Sequence, residues 1–136
     1  MVIARTDGRS VRGALTVTTG NVDMVAGTLD IQDGGAVTQA TNRTTGVTLS
    51  NYSGKVTTTA TSLAAVTIVT HTVTNTLVAA TDNIIITKVS GDADTSASVS
   101  AVASGSFSVS LRNNHASAAD TTAFVYNFAL IKSAIT

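Results

Sequence analysis

From Leu15 to Gly35 the chain reads LTVTTGNVDMVAGTLDIQDGG, and it repeats every seven residues. Gly13, Gly20, Gly27 and Gly34 mark the period; Leu15, Val22 and Leu29 keep it, and so do Val17, Met24 and Ile31. A period of seven usually marks a coiled coil, but there the apolar positions are alternately three and four apart. Here the two apolar positions of each repeat are two apart, which is the period of a strand. A glycine in every repeat would also weaken a helix by about 1 kcal/mol each time. The segment therefore reads as short strands separated by turns at glycine. Its few apolar side chains cannot offset the ordering of the backbone that carries them. The repeat needs partners from outside itself: a neighbouring domain, or three identical chains wrapped around a shared axis. In the second arrangement Leu15, Val17, Val22, Met24, Leu29 and Ile31 each meet their own copies and form a trimer interface.

The period of two continues beyond the repeat. Strands are expected at 37–41, 46–50, 55–59, 65–76, 83–89, 96–102, 106–112 and 122–131. The clearest is GSFSVSLR, with Phe107, Val109 and Leu111 on one face and Ser106, Ser108 and Ser110 on the other. Such alternation marks a strand with one buried face. The last strand is largely apolar on both faces: Phe124, Tyr126, Phe128 and Leu130 alternate with Val125, Asn127, Ala129 and Ile131. One face is expected on the core and the other on a neighbouring subunit, and Tyr126 and Phe128 are assigned to the trimer interface. Turn-forming clusters separate the strands: NRTTG, NYSG, ATDN, SGDAD and NNHASAAD. Composition agrees. Roughly a fifth of the chain is Thr, and Glu, a strong helix former, is absent. The expected fold is all-β: an eight-stranded, jelly-roll-like sandwich over 36–136, preceded by a β-helical or β-spiral stem over 13–35. An immunoglobulin-like sandwich is the alternative.

Residues 1–12 form a polar arm with Arg5, Arg9 and Arg12. They are candidates for docking on an acidic or carbonyl-rich partner surface. Otherwise charge is scarce. Only 12% of the 136 residues are charged and the formal net charge is zero. That balance argues against electrostatic binding of nucleic acid or of an anionic membrane. No segment approaches the length of a membrane-spanning helix, and MVIARTDGRSVRG has no apolar run long enough for a signal peptide. Without Cys there is neither a disulfide framework nor a thiolate metal site.

Residues able to do chemistry are few. His71 sits in IVTHTVTN in phase with Val69 and Val73, which suits a core histidine. His115 shares the loop NNHASAAD with Asp120, but no serine is marked as their nucleophile. Asp92 and Asp94 are spaced like the start of a calcium loop whose remaining ligands do not follow. Asp30 and Asp33 suit the turn at the end of the repeat. The sequons NRT and NYS carry little meaning without a signal peptide. No phosphate-binding loop, dinucleotide fingerprint, zinc-protease or nucleophile-elbow motif is present. The expectation is a protein that is not an enzyme, with no cofactor, no metal and no small-molecule substrate.

Three stretches carry a resemblance: VTQATNRTTGVTLSNYSGKVTT, VTNTLVAATDNIIITKVSG and GSFSVSLRNNHASAADTTAFVYNFALIKS. Together they resemble a C-terminal β-sandwich module of tailed-bacteriophage structural proteins. The seven-residue repeat is similar to the short trimeric stems of phage fibres. The resemblance implies a virion protein on the outer capsid surface. It would be a homotrimeric decoration or cement protein, or a short head fibre, that binds the major capsid protein. A stem of about three repeats is short for a reaching fibre, which favours the decoration role. The alternative is a tail fibre or receptor-binding, lectin-like tip. Aromatics are only 4% of the chain, and Tyr52 in NYSG is the loop aromatic available to a sugar.

Overall fold

The computed structural model describes residues 34–133. The arm, with Arg5, Arg9 and Arg12, and the stem residues Leu15, Val17, Val22, Met24, Leu29 and Ile31 lie outside the described residues, as do Asp30 and Asp33.

The described residues are all-β, with eight strands and no helix. The strands are β1 (Ala36–Thr38), β2 (Val47–Thr48), β3 (Ser53–Thr57), β4 (Ile68–Thr74), β5 (Asn83–Ser90), β6 (Thr95–Ala103), β7 (Ser106–Asn113) and β8 (Val125–Ile131). Each lies within or overlaps one of the eight segments expected from the period of two. They form two four-stranded sheets: sheet A in the order β1-β3-β8-β5, and sheet B in the order β2-β4-β7-β6. The β3–β8, β5–β8, β4–β7 and β6–β7 pairings are antiparallel, as in a jelly roll. The two shortest strands pair in parallel, β1 with β3 and β2 with β4. Jelly-roll connectivity, antiparallel throughout, does not extend to those edges.

The core lies between the sheets. Sheet B contributes Val47, Val73, Phe107, Val109 and Leu111; sheet A contributes Val56, Tyr126, Phe128 and Leu130. Phe107 meets Phe128 edge-on across the layers, with ring centroids 5.3 Å apart. Leu63 and Val78, from loops, close over the interior. Gly54 makes this packing possible: a Cβ there would come within 2.9 Å of the Phe128 ring and 2.5 Å of Leu49.

The last strand corrects one expectation. Tyr126 and Phe128 are buried in the core of their own chain, so they are not trimer-interface residues. Both faces of β8 are largely apolar, but the larger side chains fill the interior. What β8 offers a neighbour is the opposite face: Val125, Asn127, Ala129 and Ile131.

Candidate functional site

Strand pairing builds the outer face of sheet A row by row. Ala36 lies beside Lys55, Lys55 beside Asn127, and Asn127 beside Thr87. The next row brings Ser53, Ala129 and Ile85 together, and beyond it Ile131 pairs with Asn83. Ile85 is 51% exposed, Val89 53% and Ile131 46%. A trough of about 520 Å³ crosses this face from Gly35 and Ala36, past Lys55 and Asn127, to Val89. Its polar side chains include one ammonium and one amide, with no carboxylate among the lining residues described. The Ser53 hydroxyl is the third polar side chain of the trough.

Two buried polar centres have a different role. In the first, Arg43 Nη2 lies 3.2 Å from Asp120 Oδ2, with both side chains buried. Arg43 Nε donates to the Thr61 carbonyl at 2.6 Å and Nη2 to the Thr122 carbonyl at 2.7 Å. Thr95 Oγ1 donates to Asp120 Oδ2, and the Thr122 amide and hydroxyl donate to Oδ1, each at 2.8 Å. Burial by itself would raise the Asp120 pKa; the Thr122 and Thr95 bonds, with the Arg43 charge, outweigh it and hold the carboxyl below its ordinary value. The cluster joins the β1–β2 loop, the β3–β4 loop, the start of β6 and the approach to β8. Its geometry fastens chain segments and leaves no atom of Asp120 free to act as a base.

The second centre spans the layers. His71, on β4 of sheet B, is 2% exposed, and its Nε2 lies 2.7 Å from the hydroxyl of Tyr126, on β8 of sheet A. Its Nδ1 has no hydrogen-bond partner. Burial lowers the His71 pKa to about 4 and raises that of Tyr126. Both groups are therefore neutral near pH 7. The core role expected for His71 from its phase with Val69 and Val73 is the one it has.

The remaining candidates close loops. His115 Nδ1 accepts from the Ser117 and Ala118 amides, at 3.1 and 2.8 Å. Asp120 is committed to Arg43, so His115 and Asp120 do not form a catalytic pair. Asp92 Oδ1 accepts from the Asp94 amide at 2.8 Å, which makes GDAD a side-chain-closed turn. Among the described residues no group of three or more His, Cys, Asp or Glu side chains is placed to hold a metal ion. Asn42, in the first sequon, accepts from the Thr44 amide and hydroxyl, at 3.0 and 2.7 Å. Asn51, in the second, donates to the Gly34 carbonyl. Tyr52 is 47% exposed, as a recognition residue would need to be.

Two features have no counterpart in the sequence reading. One is the Arg43–Asp120 clamp, whose halves lie 77 residues apart. Asp120 stands out in the sequence only as the loop neighbour of His115, and nothing but the rarity of charge marks Arg43. The other is Val66, which is exposed with φ of 55° just before the exposed Ile68. A β-branched residue in that region costs roughly 1–2 kcal/mol, and local sequence does not signal it. Comparison of the chain with family models, with curated proteins and with solved structures gave no match.

Proposed function

We propose that this chain is a structural subunit of a tailed-bacteriophage virion. It assembles as a homotrimer on the outer capsid surface and decorates or cements the shell by binding the major capsid protein. The observation that carries the reading is the outer face of sheet A. Single exposed apolar residues are ordinary on any protein surface. Here Ile85 stands opposite Ala129 and diagonal to Ile131 on the adjacent strand, with Val89 further along β5. The patch of Ile85, Ala129 and Ile131, parted from Val89 by Thr87 and Asn127, is suited to being covered by protein. The seven-residue repeat adds a segment whose apolar positions three copies would cover, and Arg5, Arg9 and Arg12 supply donors for carbonyls or carboxylates of the shell. Three such copies on one particle multiply weak contacts through effective concentration.

The test is the native mass of the full chain together with its binding to purified particles. A trimer is expected, dissociated by Val22→Asp or Leu29→Asp, because each buried charge recurs three times about the axis. A monomeric wild-type mass, or trimers that survive both substitutions, would remove the stem from the reading. Loss of particle binding on deletion of residues 1–12, with the trimer intact, is expected if the arm docks.

A second reading, a receptor-binding tip, draws on Tyr52 and on the trough beside Lys55 and Asn127. Glycan-array binding that Tyr52→Ala abolishes would favour it over the first.

A further inference from the structure

The sandwich has two unlike sides. On one, the sheets end in β1 and β2, of three and two residues. Very short edge strands are a common way to deny a partner a template. On the other side the sheets end in β5 and β6, of eight and nine residues. Among the described residues β5 pairs only with β8, and β6 only with β7.

The hydrogen-bond pattern tells which groups of β5 face outward. The Leu130 amide donates to the Tyr52 carbonyl, so Leu130 points its backbone toward β3. Ala129 and Ile131 then point theirs toward β5, and their partners Ile85 and Asn83 complete those bonds. Ile84 and Ile86 are left with amides and carbonyls on the free edge. The usual defences are weak here. The bulge of β5 falls between Lys88 and Ser90, at its far end, whereas that of β6 falls between Val99 and Ala101, in mid-strand. Lys88 does not guard the edge: its ammonium is turned back onto the Asp92 and Thr95 carbonyls and lies over the Phe124 ring.

The sequence of this edge matches itself when reversed. Asn83-Ile84-Ile85-Ile86-Thr87 is near-symmetric about Ile85. Antiparallel to its own copy, it sets Ile84 against Ile86 with outward-pointing backbones on both strands, Ile85 against Ile85, and Asn83 against Thr87. One step further out Asp82 opposes Lys88, so the flanking charges are opposite in sign and no like pair is created. We propose that β5 pairs with β5 of a second copy of this chain about a two-fold axis at Ile85, joining two A sheets into one continuous eight-stranded sheet. This goes beyond the trimer and does not rest on it. The stem would join three copies; the edge joins two, and with both present one trimer links to the next.

Disulfide trapping in the full chain tests the geometry. Ile85 occupies a non-hydrogen-bonded position on the axis, where Cα atoms approach to about 4.5 Å, within disulfide reach. Thr87 lies on the same face, but its copy would be four residues away along the strand, about 13 Å. The chain has no native cysteine to compete. Under mild oxidation Ile85→Cys is expected to cross-link at least about tenfold faster than Thr87→Cys. Equal rates, or no cross-link in either variant, would overturn the proposal. Independently, Ile85→Lys sets two like charges on the axis and is expected to lower the mass in light scattering at least about twofold, to that of the assembly the stem alone makes. A mass equal to wild type at every concentration would overturn it too.

Discussion

The two sheets share one interior and differ in what β5 and β8 of sheet A, and β4 and β7 of sheet B, turn outward. On sheet B, Thr70, Thr72 and Thr74 of β4 stand beside Ser110, Ser108 and Ser106 of β7. Thr70 and Ser110 bond to each other at 2.8 Å. Ile68, at the end of β4 beside Arg112, interrupts the hydroxyls. On sheet A the corresponding positions of β5 and β8 carry Ile85, Ala129 and Ile131 among Asn83, Thr87 and Asn127. A strand needs an outward side chain that fits a pleated surface, and Thr meets that need as well as Ile does. The isoleucines outside sheet A are therefore not required by the fold. In the proposed reading they are the part of the surface that a partner covers, and sheet B is the face left to water.

The comparison depends on both sheets staying on one interior, and the strongest way to break it is Asp120→Ala. The change leaves Arg43 buried without its counter-charge and removes the acceptors of Thr95 and Thr122. Removing one partner of a buried ion pair typically costs about 3–5 kcal/mol. Urea unfolding should show that loss as a lower midpoint at unchanged slope. A loss below about 1 kcal/mol would mean that the clamp does not hold these segments together.

The next largest effect is set by pH and acts where the sheets touch, at His71 and Tyr126. The folded-state pKa of His71 is about 4 against an ordinary 6.5, so below 6.5 the unfolded chain takes a proton that the folded chain refuses. Stability is full above pH 6.5 and falls as the pH drops toward about 4, where the loss levels off. The size of that fall is about 3 kcal/mol. Asp82 and Asp120 are held below their ordinary 3.8, so their contributions are lost only under more acid conditions. His71→Gln is expected to flatten the profile between pH 6.5 and 4 and to leave the more acid limb. An unchanged slope in that window would assign the acid sensitivity elsewhere.

What could be read in advance divides along physical lines. Alternation in GSFSVSLR is local information, and Phe107, Val109 and Leu111 are buried as it implies. The same rule applied to β8 yields two apolar faces without saying which is inside. Side-chain volume decides that, with Phe124, Tyr126, Phe128 and Leu130 filling the core. Strand pairing was not legible, because register between β1 and β3 or between β2 and β4 rests on contacts far apart in sequence. For the same reason neither Arg43–Asp120 nor His71–Tyr126 could be paired from sequence. The exposed Ile85 and Ile131 were visible as letters, but only the sheet order places them on adjacent strands of an outer face.

The smallest expected effect on stability is the most direct test of the difference between the sheets. Ile85→Thr with Ile131→Thr gives sheet A the surface of sheet B. Both positions are about half exposed and point away from the core, so stability should change by no more than about 0.5 kcal/mol. The reverse change, Thr72→Ile with Ser108→Ile, gives sheet B the surface of sheet A and should be equally mild for the fold. Association is where the two diverge. Sedimentation over a concentration series should show the first variant losing its higher-mass species and the second keeping them. If the threonine variant associates as wild type does, the isoleucines are ordinary exposed residues and the outer faces differ in composition alone.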